Sequence, residues 1–276
     1  GSGARFPRLS VLHVRDSAVL PSLLAMLAST SGGWPQLRVL CLKRLRVSVI
    51  EVEALAGLMD DGRLRGLAGL DLSDSDGLDA DCITAIAEVL ARGGTCPGLV
   101  ELNLRSQQLQ ALAGRDAMRV ALDFLGVALQ GRRAQGCKPL QRLHLGVSCM
   151  QLVGRLSSSE SLSGLRELDL SLASLTEPEL QEMGSGLRAA KAPQLDTLRV
   201  TGAALVSVES GRTLAAALAG GGAPRLRVLE LEAVGMAGRA MEALAKAVEL
   251  GACATLRELT LAKAGLTGAE VEALAN

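Results

Sequence analysis

The residue types that most often carry chemistry, histidine and cysteine, are few and scattered in this sequence. It contains two histidines and six cysteines. No two cysteines form a CxxC pair, which is the spacing typical of zinc sites and redox pairs. Cys96, Cys137 and Cys253 stand at equivalent positions of a recurring phrase, and Cys82 lies beside an apolar helical stripe. We therefore interpret the cysteines as small core residues, which favours a reducing compartment.

The histidines suggest acid–base chemistry only weakly. His13 and His144 lie four repeats apart on the same predicted column, roughly 19 Å from each other, so they cannot share a metal ion. Along that column His144 is followed by Asp169, Arg199 and Glu230. A His–Asp contact could orient a general base, but the column holds no Ser or Cys nucleophile. We favour cross-strand charge pairing as the explanation.

These positions are set by a repeat. The phrase Leu-x-x-Leu-x-Leu/Val recurs about every thirty residues, and a fixed period of that size indicates a solenoid. Alternating apolar residues within the phrase predict a short strand. Apolar residues at i, i+3, i+4 and i+7 between the phrases predict helices. The phrases begin at Leu9, Leu37, Leu67, Leu99, Leu140, Leu165, Leu195, Leu226 and Leu256. Helical stripes include Val52, Leu55, Ala56 and Met59; Ile83, Ile86, Ala87 and Leu90; and Met241, Leu244, Ala245 and Val248.

Helix starts and strand entries are marked as well. A capping box, in which the first residue and the fourth bond each other's backbone, is predicted at three helix starts. These are Ser48 with Glu51, Thr176 with Glu179, and Thr267 with Glu270. Three residues before each phrase stands an apolar residue that we expect to plug the core. This column contains Phe6, Trp34, Leu64, Cys96, Cys137, Leu162, Ala192, Ala223 and Cys253.

Two units depart from the usual length. The unit from Leu99 to Leu140 is long, and we expect its surplus to extend the helix that carries Met118 and Leu122. The unit from Leu140 to Leu165 is short, and its linking stretch has a weak helical period, which predicts a short or broken helix.

The repeat resembles the leucine-rich repeat family, and its unit with a full helix looks like the ribonuclease-inhibitor-like class. The resemblance covers nearly the whole chain. It implies an α/β solenoid of about nine repeats, with a parallel sheet on the concave face and helices on the convex side. Family repeats usually carry Asn or Cys at a turn position that bonds the backbone. Here the column reads Ser17, Leu45, Ser75, Gln107, Ser148, Ala173, Ala203, Val234 and Ala264. At its apolar positions the turn amides must bond backbone or water instead.

Function is expected on the polar outward columns of the strands, because solenoids bind partners on such extended surfaces. The predicted protein-binding residues are Arg15, Lys43, Glu101, Arg105, Arg142, His144, Glu167, Asp169, Arg199, Glu230, Glu232 and Glu258. Basic residues gather toward the N-terminus of this face and acidic ones toward the C-terminus. We therefore expect a basic segment of a protein partner to dock on the C-terminal half.

Composition excludes several classes of function. The chain has 29 basic and 29 acidic residues, so no net field draws it to nucleic acid or to an anionic membrane. There is no run of about 18 apolar residues, no secretory leader, no GxxxxGK[ST] loop and no GxGxxG loop, so we predict no membrane span and no cofactor. No catalytic or metal site is predicted either.

Three classes of function remain. The favoured one is a non-catalytic intracellular interaction scaffold or complex subunit, cytoplasmic in location, with nuclear or cytoskeletal association left open. The second is a GTPase-activating regulator resembling Ran GTPase-activating proteins. The third is the sensing or substrate-recruiting repeat domain of an immune receptor or ubiquitin ligase. We expect residues 1–276 to form one repeat domain of a longer chain or larger assembly, with apolar surface at one end or both that self-associates or contacts flanking segments.

Overall fold

A computed structural model describes residues 8–15, 17–30, 32–112, 116–190, 192–202, 207–249, 251 and 253–268. The chain divides into two compact units, Gly1–Arg142 (unit 1) and Leu143–Asn276 (unit 2), and we describe each by itself. A single domain over residues 1–276 stays a prediction.

Short parallel strands alternate with helices along the described residues, as the repeat predicts. The strands are β1 (Val11–His13), β2 (Val39–Cys41), β3 (Gly69–Asp71), β4 (Glu101–Leu104), β5 (Arg142–Leu145), β6 (Glu167–Leu175), β7 (Thr197–Gly202), β8 (Val228–Glu232) and β9 (Glu258–Ala262). The helices are α1 (Leu20–Ser29), α2 (Val49–Asp60), α3 (Ala80–Arg92), α4 (Gln107–Leu112), α5 (Asp116–Gly131), α6 (Met150–Leu156), α7 (Ser159–Leu162), α8 (Glu177–Ala190), α9 (Val208–Ala219) and α10 (Arg239–Glu249). A single 3-10 turn, Ser17–Val19, precedes α1.

The strands of unit 1 pair in the register set by the repeated phrase. β1 to β4 are parallel neighbours in chain order, with Val11 opposite Val39 and Gly69 opposite Glu101. The leucines between the outward residues are buried, as at Leu40 and Leu70. Equivalent positions of successive phrases therefore lie side by side.

Unit 2 repeats this arrangement with β6 to β9. Leu168 lies opposite Leu198, Leu198 opposite Leu229, and Leu229 opposite Leu259. The first three of these leucines are completely buried. The predicted inward position of these leucines is therefore confirmed in both units, although the outward residues Cys41 and Asp169 are buried as well.

The helices turn their predicted apolar stripes toward the core, with one correction. All four stripe residues of α2 and of α3 are buried. In α10 the buried residues are Ala240, Met241, Leu244 and Ala247, whereas Val248 is exposed. The predicted stripe was therefore wrong at Val248, because the face that α10 buries is centred about one residue earlier than the i, i+3, i+4, i+7 template placed it.

Two of the predicted capping boxes are present. The Glu51 carboxylate accepts the Ser48 backbone N–H at 2.9 Å, and the Glu179 carboxylate accepts the Thr176 backbone N–H at 2.7 Å. Each box satisfies a donor at the helix start that would otherwise lack a partner. The third box depends on Glu270, which lies outside the described residues.

The plug column is buried wherever the structure describes it. Its buried members are Trp34, Leu64, Cys96, Cys137, Leu162, Ala192, Ala223 and Cys253, and Phe6 lies outside the described residues. All six cysteines are free and buried, as the interpretation as core residues requires. Burial raises the pKa of the Cys96 thiol to about 11 and that of Cys82 to about 12.

The two units of irregular length differ in their helices. The short unit contains α6 and α7, which confirms the predicted break. In the long unit α5 has 16 residues and buries Met118 and Leu122. Residues 107–112 of the same unit are helical too, as α4, and residues 113–115 lie outside the described residues.

A turn with left-handed backbone follows several of the strands. Arg44, Asp74, Ala233 and Lys263 have φ values of 61°, 55°, 53° and 52° at equivalent positions of their repeats. This conformation costs a non-glycine residue roughly 1–2 kcal/mol. A hydrogen bond to the next turn offsets that cost: the Asp74 N–H donates to the Arg105 carbonyl at 2.7 Å, and the Ala233 N–H donates to the Ala262 carbonyl at 2.8 Å.

Serine side chains satisfy the turn amides in unit 1. The Leu45 N–H, which the sequence left to backbone or water, donates to the Ser75 hydroxyl at 3.2 Å. Ser75 in turn donates to the Leu42 carbonyl at 3.1 Å, and Ser106 donates to the Ser75 carbonyl at 3.2 Å. The expectation for Leu45 was therefore wrong, because a serine of the following repeat supplies the acceptor.

Candidate functional site

The outward side of the strands of unit 2 gathers seven of the predicted binding residues. We call this surface the strand face; its members are His144, Glu167, Asp169, Arg199, Glu230, Glu232 and Glu258. β7 and β8 place these residues by strict alternation, since every second residue of each strand is buried. The pairing of β7 with β8 then sets Arg199 directly opposite Glu230.

Four of these side chains form a charge network across neighbouring strands. The Arg199 guanidinium donates to Glu167 Oε1 at 2.7 Å through Nη1 and to Glu230 Oε1 at 2.8 Å through Nε. His144 Nε2 lies 3.5 Å from the same Glu167 oxygen. That distance is too long for an aligned hydrogen bond, so the contact is chiefly electrostatic. Arg199 is therefore the central cation between two carboxylates.

The network changes the acidity of its members. His144 lowers the pKa of Glu167 most, and Arg199 lowers it further, so that together they outweigh the opposing effect of burial and place it at about 2. The two carboxylates raise the pKa of Arg199 despite its partial burial. Glu167 is therefore a stable carboxylate rather than a group that could exchange a proton near neutral pH.

Asp169 is the buried acid of the strand face. A Glu167 carboxylate oxygen lies beside His144. Asp169 is only 2% exposed, and its carboxylate accepts the Ser171 N–H at 2.9 Å. A short acidic side chain can bond its own backbone two residues ahead, as in an Asx turn. Asp169 is therefore corrected from a surface binding residue to a buried structural one.

The C-terminal acids of the strand face differ in their partners. Glu232 accepts a hydrogen bond from Lys263 Nζ at 2.8 Å. Glu258 at the start of β9 is exposed, and within the described residues no cation pairs with its carboxylate. Of the three acids of β8 and β9, Glu258 is thus the one left open to a partner's cation.

The predicted binding residues of unit 1 are less connected. The Arg142 guanidinium bonds Glu101 at 3.0 Å through Nε and lies 2.9 Å from it through Nη2. Arg15 is exposed, whereas Lys43 and Arg105 are half-buried beside the ends of their strands. The structure therefore brings Glu101 and Arg142 together by direct contact.

Sequence reasoning missed two kinds of residue. Lys263 belongs to the left-handed turn after β9 and was not considered as a partner of Glu232. Asp71 and Asn103 cap their strand ends in the manner of Asp169, accepting the N–H two residues ahead at 2.8 and 3.2 Å. Asp or Asn at the same column in three repeats was the available signal for such caps.

A second charged surface lies between α2 and α3 in unit 1. An open groove of about 480 Å³ there is lined by Glu53, Asp60, Asp81, Glu88 and Arg92 together with small residues. Arg92 bonds Asp60 and lies 3.6 Å from Glu88, which compensates part of the negative charge. The groove holds no histidine or cysteine, and we assign no chemistry to it.

The described residues present neither a metal-binding cluster nor a membrane-spanning helix. Among the described residues no three His, Cys, Asp or Glu side chains are grouped closely enough to hold a metal ion. None of the helices in the described ranges has the length and apolar character needed to cross a bilayer.

Comparison with known proteins provides no identification. No protein-family model matches the sequence, and no curated protein matches it.

Proposed function

We propose that this chain is a non-catalytic, intracellular protein-interaction module of the leucine-rich repeat type, of the ribonuclease-inhibitor-like class, which binds a protein partner on its strand face. The parallel strands, the alternation of strand and helix, and the buried leucine columns support the repeat assignment. An extended sheet face of this kind displays side chains from many repeats to one partner.

The observation that carries the proposal is the charge network of unit 2. Glu167 and Arg199 have side chains only 22% and 27% exposed, and each is held by bonds to neighbouring strands. Side chains fixed in this way lose little conformational entropy when a partner binds. The network is therefore a preorganised polar surface whose remaining hydrogen-bonding capacity faces outward.

The same geometry favours binding over acid–base catalysis. His144 and Arg199 hold Glu167 as a carboxylate, and the thiols of the described cysteines are buried, with the pKa raised at Cys82, Cys96 and Cys253. A thiol of raised pKa is a poor nucleophile near neutral pH. Among the described residues, His144 therefore lies beside a carboxylate and not beside an activated thiol that it could deprotonate.

Charge complementarity defines the partner we propose. Glu258 has no cationic partner among the residues that the structure describes, and each of Glu230 and Glu232 is bonded through one carboxylate oxygen to a cation of its own chain. A basic segment of a partner can bond the remaining oxygens and Glu258 without breaking the network. Docking at the C-terminal half of the strand face then orients the partner along the sheet.

The test compares two single charge reversals of the same chemistry. Glu258→Lys changes the strand face, and Glu249→Lys changes the exposed C-terminal end of α10 on the helix layer. The chain and both variants are used as baits in cross-linking mass spectrometry, and association rates are then measured for each protein that cross-links to the strand face or to the helices. We expect Glu258→Lys to slow association by about tenfold at low salt, and less at high salt, while Glu249→Lys changes it less than twofold. If the bound proteins cross-link to the helices and only Glu249→Lys alters their rates, the strand face is not the binding surface.

A further inference from the structure

A row of arginines lies where the strands of unit 2 begin. Arg166, Arg227 and Arg257 each stand immediately before a strand, and Arg225 stands two residues before Arg227. All four are exposed. We call these four residues the basic edge.

The backbone fixes the spacing of the basic edge. Three backbone hydrogen bonds, each of 2.8 Å, link these positions across the strands. The Arg257 N–H donates to the Arg227 carbonyl, the Arg227 N–H to the Asp196 carbonyl, and the Asp196 N–H to the Arg166 carbonyl. Arg166 and Arg227 are therefore two strand spacings apart, or about 9.6 Å, with Asp196 between them. Arg257 lies one further spacing along the same edge.

The guanidinium groups of this edge lack anionic partners. Across the residues that the structure describes, no carboxylate pairs with Arg166, Arg227 or Arg257, and Arg225 bonds only the neutral amide oxygen of Gln194 at 3.0 Å. The cations of the strand face differ, since Arg199 and Lys263 are both bonded to glutamates. The four arginines of the basic edge outnumber Asp196, the one aspartate between them, so the edge carries a net positive charge.

A shallow recess accompanies this charge. It has a volume of about 300 Å³ and is lined by Arg166, Gln194, Asp196, Arg225, Arg227 and Thr255. Guanidinium groups favour planar, bidentate bonding to carboxylates. The recess thus offers both a contact surface and charged donors along its rim.

We infer that the basic edge binds an extended acidic segment of a protein, a surface distinct from the strand face and used independently of it. The spacing suits a peptide in the extended polyproline II conformation. Residues i and i+3 of that conformation lie on the same side of the chain about 9.3 Å apart, close to the 9.6 Å or so between Arg166 and Arg227. Two acidic residues separated by two neutral ones can therefore pair with Arg166 and Arg227. The neutral residues between them then lie opposite Asp196, so that no like charges meet there. A nucleic-acid duplex carries a phosphate charge about every 1.7 Å along its axis, and it cannot avoid Asp196 or the adjoining Glu258 in this way.

The test uses fluorescence anisotropy of a labelled peptide of Gly and Ser that carries glutamates separated by two neutral residues. We expect saturable binding with a Kd below about 1 mM at low salt. Arg227→Gln with Arg257→Gln should weaken it about fivefold, and Asp196→Asn should strengthen it about twofold. The matched control, Arg46→Gln with Arg65→Gln, removes the same charge from exposed positions of unit 1 and should leave affinity unchanged.

Each outcome decides the inference. The arginine side chains substituted at the edge have no partner to lose, so circular dichroism and the urea midpoint should match those of the parent chain. Absence of binding, equal losses in the edge and control variants, or an unchanged affinity in the edge variant would overturn the inference. If a single-stranded oligonucleotide of equal charge binds more tightly, with the same sensitivity to the edge variant, the ligand of the basic edge is nucleic acid and the inference of an acidic peptide is wrong.

Discussion

Arg199 is the residue whose removal should reveal whether the charge network stabilises unit 2. Its guanidinium bonds two glutamates, and the three side chains are 22%, 27% and 33% exposed. Exposed ion pairs contribute about 0.2–1 kcal/mol each, and partial shielding places these two near the upper end. Arg199→Met keeps a similar aliphatic stem and should lower the free energy of unfolding by about 1–2 kcal/mol, part of which is repulsion between the two abandoned carboxylates.

Urea unfolding followed by circular dichroism measures this loss. The matched control is Arg227→Met, which removes an exposed arginine without a paired carboxylate from the same sheet and should cost less than about 0.5 kcal/mol. A double-mutant cycle with Glu230→Gln should give a coupling of about 0.5–1 kcal/mol that shrinks in about 1 M salt. Equal losses at Arg199 and Arg227, or a loss that is independent of salt, would refute an electrostatic role for the network.

Three further predictions follow from the same sheet and its core. Leu198→Ala should lower the free energy of unfolding by about 2–5 kcal/mol and Thr197→Ala by less than about 0.5 kcal/mol; similar losses in urea titrations would place the register off by one residue. The folded-state pKa of Glu167, about 2, lies below its ordinary value of 4.5, so its stabilising contribution is complete above that value and is lost as the pH falls toward 2. Glu167→Gln should therefore flatten the acid limb of the stability–pH curve, and a limb of unchanged slope would contradict this. Burial raises the pKa of Cys96 to about 11, so a disulfide reagent at about pH 8 should label it only when the protein unfolds; rapid labelling of the native protein would oppose the prediction.

The sequence was sufficient to predict the sheet because its information is periodic. An inward leucine such as Leu198 is specified by its own spacing and by identical neighbours, and a slip of one residue would expose every leucine of the strand. The plug residues and the Ser48 and Thr176 caps were predictable for the same reason, since each is a local pattern that returns at a fixed distance along the chain.

The site was less predictable because side-chain reach is not periodic. The columns did not show that the Asp169 carboxylate accepts a backbone N–H two residues ahead, or that Glu167 lies 3.5 Å from His144. Arg199 reaches carboxylates on both sides, which strand spacing alone does not specify. Lys263 bonds Glu232 from a turn outside the strand columns. Such pairings depend on side-chain length and rotamer, which column positions do not contain.

The left-handed turns of Arg44, Asp74, Ala233 and Lys263 have a consequence for how such a chain can diversify. Where the structure shows it, a backbone hydrogen bond to the following turn holds this conformation. The side chain is therefore not needed for the local fold, and the position already carries a base, an acid and an alanine in different repeats. Two of these residues also reach across a repeat boundary, since Lys263 bonds Glu232 and Arg44 lies 3.8 Å from Asp74. A substitution at such a turn can therefore change the surface charge of one repeat. The leucines of the core need not change with it.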